Sequence, residues 1–170
     1  MNLILRLIGV IAAALLGRRV DFLGESRVRF RVWPTDLDLN IHMTNARYLS
    51  VMDLGRVDLL LRSGVARLML RNRWQAVLGA TTIRYRRPLK PFRSFNVTTR
   101  VLCWDEKWIY LEQRIESDGR LAAVAVMQGI FRDTDGTVPP SRILAELGEE
   151  RASPEFPASV AALSAAEMPV

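Results

Sequence analysis

From Thr44 to about Ser63 the chain repeats apolar residues at helical spacing on almost every side, so this helix has to be wrapped by other structure. Tyr48, Met52, Gly55 and Leu59 recur along one line, while Leu49, Val51, Leu54, Leu60 and Leu61 widen the apolar surface. Thr44 is a fair N-cap and Gly64 a suitable stop. Gly55 is expected to let the helix backbone approach a sheet closely. Downstream of Gly64 the chain is strand-like, with no second long helix. Trp74 to Arg87 closes with Ile83 and Tyr85 alternating against Arg84 and Arg86. Phe95 to Trp104 alternates through Val97, Thr99, Val101 and Cys103, and Trp108 to Glu116 keeps Ile109, Leu111 and Ile115 on one side. Asp118-Gly119 is a hairpin signal before the nearly continuous apolar run Leu121 to Phe131, and Asp135-Gly136 marks another turn. Ahead of the helix, Arg27 to Trp33 sets Val28, Phe30 and Val32 against Arg27, Arg29 and Arg31, and Pro34 ends that strand. One strand, a buried helix and four further strands give an α+β fold, one antiparallel sheet wrapped around a long central helix.

A chain of 170 residues has room for one such core. The expected organisation is an extra N-terminal helix over residues 1–19, one domain over 20–150 and a tail over 151–170. A short helix from Ser141 to Leu147 ends at Gly148, and the Ala-, Ser-, Pro- and Glu-rich tail is expected to be loose. In the first segment Ile4, Ile8, Ile11 and Leu15 form one strip, with Asn2, Arg6, Gly9 and Ala13 opposite. Its apolar run is shorter than the ~20 residues that span a bilayer. Arg6 also interrupts the charge order of a signal peptide. An amphipathic helix, lying on a membrane or packing on the domain, fits best; a spanning anchor and a signal peptide are the other readings.

The formal net charge is +6, and Lys90 and Lys107 are the only lysines. Arginine forks suit phosphorylated ligands, although a coding bias toward arginine explains the composition equally well. The arginines are dispersed rather than clustered among exposed aromatics, which argues against nucleic-acid binding. With one cysteine, Cys103, and one histidine, His42, the chain has no internal disulfide and no zinc site. No cofactor is expected. A cytoplasmic protein with membrane association through residues 1–19 is consistent with these features.

The segment with chemical content is Asp36-Leu37-Asp38-Leu39-Asn40-Ile41-His42-Met43-Thr44-Asn45-Ala46-Arg47-Tyr48, between the first strand and the central helix. It resembles the signature D-x-D-x-x-G-H-x-x-N-x-x-Y of the 4-hydroxybenzoyl-CoA thioesterase family, which has the hotdog fold, with Asp36, Asp38, His42, Asn45 and Tyr48 in register. The resemblance looks closest to the branch called thioesterase superfamily member six. It extends over roughly Arg27 to Gly148 and includes Tyr85-Arg86-Arg87-Pro88-Leu89. Ile41 departs from it, standing where many members carry a glycine that permits positive φ.

The residues make chemical sense on their own. The start of a buried helix offers unpaired N–H groups and a positive dipole end for a developing oxyanion. A carboxylate just upstream can activate water or attack a carbonyl directly. The resemblance makes Asp38 that catalytic carboxylate; the alternative is a turn aspartate. Asp36 is expected to hold the loop. Asn45 either aims its amide at substrate or water, or caps the helix. His42 either orders the loop or touches substrate, and Tyr48 is a candidate substrate contact at a spacing commoner for core. Arg86, Arg87, Lys90 and Arg93 would receive CoA phosphates, or form a solvated strand end. The resemblance implies an acyl-CoA thioesterase acting on a fatty or aromatic acyl group, and a homodimer or higher oligomer with the site at its interface. Two other readings stay open. One is a non-catalytic acyl- or lipid-binding protein at a membrane. The other is an enoyl-CoA hydratase, whose D-x-N-P-x-H motif Asp38-Leu39-Asn40 begins but does not complete.

Overall fold

The computed structural model describes residues 3–164. In chain order the elements are α1 (Leu3–Leu16), β1 (Ser26–Arg31), a 3-10 turn (Pro34–Asp36), α2 (Asn45–Ser63), α3 (Val65–Asn72), β2 (Gln75–Tyr85), β3 (Ser94–Trp104), β4 (Ile109–Ser117), β5 (Arg120–Arg132), β6 (Thr137–Val138), α4 (Pro140–Leu147) and α5 (Ala158–Ser164). The strands form one antiparallel sheet in the order β1-β3-β4-β5-β2, with β6 on β5. α2 packs on β1 and β3, which is the expected hotdog arrangement.

The alternation of the strands explains the core. Phe30, Phe95, Val97, Ile115, Ala123, Ala125 and Met127 cluster with Val51, Met52 and Leu54 of α2, while Arg27, Arg29 and Arg31 remain exposed. A Cβ at Gly55 would lie 2.8 Å from Thr99 Oγ1 and 2.9 Å from Val97 Cγ1, so only glycine lets α2 sit this close to β3. Asp118 and Gly119 adopt φ of 51° and 70°, the paired positive values of a type I′ turn between β4 and β5. Leu49 departs from expectation and faces outward. The short helix α3 begins directly after Gly64, which the sequence marks as a helix stop, and lies outside the expected elements. Its Val65 and Leu68 join Trp74, Ile143 and Leu144 in a second cluster that closes one end of the domain.

The tail is not loose as far as Ser164. Arg151 donates to both carboxylate oxygens of Asp21, at 2.8 and 3.0 Å. Ser153 Oγ accepts the Trp104 N–H at 2.8 Å. Val160 and Leu163 of α5 bury against Cys103, Tyr110 and Val126. These strand residues would otherwise leave apolar surface in water, and covering them outweighs the low periodicity of the tail. The last six tail residues lie outside the described part of the chain.

The N-terminal helix packs on α2 and buries Arg6, Val10 and Ala14. Arg6 is 4% exposed, forms an ion pair with the wholly buried Asp36, and donates to the Arg31 carbonyl of β1 at 3.1 Å. Arg47 Nε completes the cluster 3.1 Å from Asp36. The helix therefore turns its charged side inward, because a buried carboxylate needs a cation more than the core needs another isoleucine. Of the opposed small strip, Gly9 and Ala13 are exposed, and Asn2 lies outside the described residues.

Candidate functional site

Asp36 anchors the loop before α2. Its carboxylate accepts the Trp33 N–H at 2.9 Å and its carbonyl accepts the Thr44 N–H at 2.9 Å, the loop-holding role expected of it. Two residues on, Asp38 is exposed. Its Oδ1 accepts the N–H groups of Asn40 at 2.8 Å and His42 at 3.3 Å, and its own N–H donates to the His42 carbonyl at 2.9 Å. One oxygen thus performs the turn function, while Oδ2 has no hydrogen-bond partner among the described residues. His42 itself is half-buried in this turn.

Ile41 has φ of 58°, the left-handed conformation that a glycine would adopt without penalty. A branched residue there costs about 1–2 kcal/mol, and glycine returns part of that as lost chain entropy. Because Ile41 is 64% exposed, its side chain contributes little packing. Ile41→Gly is therefore expected to raise the melting temperature by roughly 2 °C, from about 0.5–1 kcal/mol of relieved strain. An unchanged or lower melting temperature would show that the strain is not relieved.

The start of α2 is open. Thr44 occupies the N-cap position in extended conformation without a side-chain cap bond. The N–H groups of Asn45 and Ala46 meet no backbone or side-chain acceptor among the described residues. They carry the positive end of a 19-residue helix. Asn45 is the first helical residue and exposed, so its side chain does not act as the N-cap.

A second wall is bonded to this loop. The Met43 N–H donates to the Leu89 carbonyl at 2.9 Å. Tyr48 Oη accepts the Leu89 N–H at 3.2 Å and donates to the Arg87 carbonyl at 3.4 Å, with its ring edge-on to Tyr85 at 5.2 Å. Burial pushes the Tyr48 hydroxyl above its ordinary pKa. Tyr48 is 3% exposed, and in place of the expected substrate contact it is a positioning residue that pins the Arg87–Leu89 segment to α2. Beside it, Arg87, Lys90, Arg93 and Arg120 line a cleft of 590 Å³, with Arg93 paired to Asp118 at 3.3 Å. Arg86 is exposed next to the cleft without lining it. Arg120 was missed because only the hairpin brings it to this loop.

A separate apolar cavity of 360 Å³ lies between the C-terminal half of α2 and strands β2, β4 and β5. Leu60, Val77, Leu78, Leu111 and Ile130 line it, with Asp53 and Arg56 as its charged residues. Arg56 pairs with Asp53 and donates to Gln113 Oε1 at 2.9 Å; burial lowers its pKa below the ordinary guanidinium value. Asp38, His42 and Asn45 do not line this cavity. No sequence pattern announces it, because its walls come from distant elements. Among the described residues, no group of three or more His, Cys, Asp or Glu side chains is placed to hold a metal ion.

Residues 32–163 match the thioesterase-like superfamily. A protein of Xenopus laevis called THEM6 is 35% identical over 144 residues, 82% of this chain and 67% of that protein. The chain spans about half to two thirds of the length of the THEM6 relatives it matches. Among solved structures, the probable thioesterase YbaW of Escherichia coli has a TM-score of 0.68 at 25% identity, over 73% of this chain and 96% of that one. A Staphylococcus aureus protein in complex with CoA shares the fold, with a TM-score of 0.63 at 15% identity over 85% of this chain and 95% of that one.

Proposed function

The chain belongs to the thioesterase-like superfamily, and from that premise we propose that it hydrolyses an acyl-CoA thioester to the free acid and CoA. The observation that carries this reading is the pairing, within one short segment, of the exposed Asp38 carboxylate with the unbonded N–H groups that open α2. Asp38 acts as general base on a water or as the nucleophile on the thioester carbonyl. The Asn45 and Ala46 N–H groups take the charge that develops on the carbonyl oxygen as the tetrahedral intermediate forms. The carbon–sulfur bond then breaks and CoA leaves as a thiolate, which takes up the proton that Asp38 removed from water. Where Asp38 is instead the nucleophile, solvent protonates the thiolate and a water then cleaves the acyl–Asp38 anhydride, releasing the free acid and restoring the carboxylate. Arg87, Lys90, Arg93 and Arg120 form a cationic cleft bonded to the same loop, suited to the phosphates of CoA. The fold neighbour in complex with CoA supports that ligand.

The apolar cavity suits the hydrocarbon of a fatty or aromatic acyl group. It lies under the far half of α2, a helix about 28 Å long. A second copy of the chain joins the two halves. β2 is a sheet edge of eleven residues with Val77 and Leu78 exposed on the cavity wall, and a bare edge of this kind favours pairing with its own copy. The protein is therefore expected to be at least a homodimer by light scattering at assay concentration. A fully active monomer would remove both the dimer and the shared site.

The direct test is thiol release from a panel of short, long and aromatic acyl-CoAs. Cys103 adds no background in such an assay, being fully buried with a thiol pushed up to about 11 by burial and by the nearby Asp105. Binding of acyl-CoA without thiol release would instead establish a non-catalytic acyl-binding protein.

A further inference from the structure

Locking Arg6 inward leaves α1 with an outer face that nothing in the described chain covers. Leu5, Ile8, Leu15 and Leu16 are each more than half exposed, and Ala12 lies among them on the same side of the helix. Scattered exposed leucines are ordinary on a protein surface, but a contiguous apolar helix face is not. The surroundings are basic. Arg18 and Arg19 follow the helix after Gly17 and are exposed, and the exposed Arg27, Arg29 and Arg31 of β1 line the cleft along its flank together with Leu5, Gly9 and Ala13. α1 contains no acidic residue. At 14 residues it is about 21 Å long, and no helix among the described residues is long and apolar enough to cross a membrane.

We propose that α1 is a lipid-facing blade, fixed to the domain by the buried Arg6–Asp36 pair, whose outer face seats in the surface of an anionic bilayer. The apolar side chains enter the boundary between headgroups and acyl chains, and the flanking arginines meet the lipid charge. An anionic membrane is the occupant that the charge pattern selects, because a second copy would oppose arginine to arginine. The blade differs from a flexible tether in its consequence. Asp36 is two residues from Asp38, so a docked helix holds the Asp38 loop at a set height over the lipid.

Deleting residues 1–19 would remove the blade and a buried ion pair together, so the test uses exposed positions. The 170-residue chain is sedimented with phosphatidylcholine vesicles with and without phosphatidylglycerol, beside the double variant Ile8→Asp/Leu15→Asp. Wild type is expected to co-sediment with the anionic vesicles, and the double variant to bind at least about tenfold more weakly at an unchanged melting temperature. The milder Ile8→Ser/Leu15→Ser pair gives the same reading should the aspartates prevent folding. Wild type that binds neither vesicle overturns the proposal, as does a variant that binds as well as wild type. A fall in oligomer mass in the double variant, seen by light scattering, overturns it too, since a second copy would then be the occupant.

Discussion

Asp38→Asn is expected to lower thiol release from acyl-CoA by about 10²–10⁴-fold while leaving the fold intact. The asparagine keeps a carbonyl oxygen where Asp38 Oδ1 accepts the Asn40 and His42 N–H groups, so the turn survives. What it loses is the negative charge, which both a general base and a nucleophile require. The substitution therefore separates the two roles of one side chain, the turn and the chemistry. The measurement is steady-state thiol release on purified wild type and variant, with melting curves as the control. Wild-type turnover by Asp38→Asn would reduce this residue to a turn former. Asp53, which lines the apolar cavity, would then be the candidate carboxylate.

Arg6→Met is expected to be strongly destabilising. It leaves Asp36 wholly buried with Arg47 as its remaining cation, and opening a buried pair from one side costs about 3–5 kcal/mol. For a chain of this size that corresponds to a melting temperature lower by roughly 6–15 °C. Methionine retains much of the arginine stem volume, so the loss reports the charge rather than a cavity. Adding Asp36→Asn to Arg6→Met should recover part of the loss, because the uncompensated charge is then gone. A melting temperature within about 2 °C of wild type would mean that α1 is not anchored through this pair, on the same conversion.

Much of the architecture was legible in local patterns. Period-two runs marked the long strands, and an all-round apolar helix required a sheet to enclose it. Gly55, Gly64 and Asp118-Gly119 mark a close approach, a helix stop and a tight turn, and each of these is a property of one or two residues' backbone freedom. The loop of Asp36 and Asp38 was legible for the same reason, since turn, carboxylates and helix start are contiguous. Even the strain at Ile41 could be anticipated, from the glycine that the motif usually has there.

Other features had no local signature. The tail has no period, yet Val160 and Leu163 cover strand residues that a reading of residues 151–170 alone does not include. Tyr48 sits at a spacing that fits core and site alike, and only the approach of the Arg87–Leu89 segment uses its hydroxyl. The N-terminal helix has an apolar strip and a charged strip, and its hydrophobicity alone would bury the isoleucines. Its orientation is set by Asp36, thirty residues further on, whose buried carboxylate draws Arg6 inward and leaves Ile8 and Leu15 in the open. Sequence by itself determined the long elements and the loop, because period and turn chemistry act between near neighbours. Tertiary structure decided which face of the N-terminal helix was buried, because the cost of an unpaired charge depends on what the closed chain places beside it.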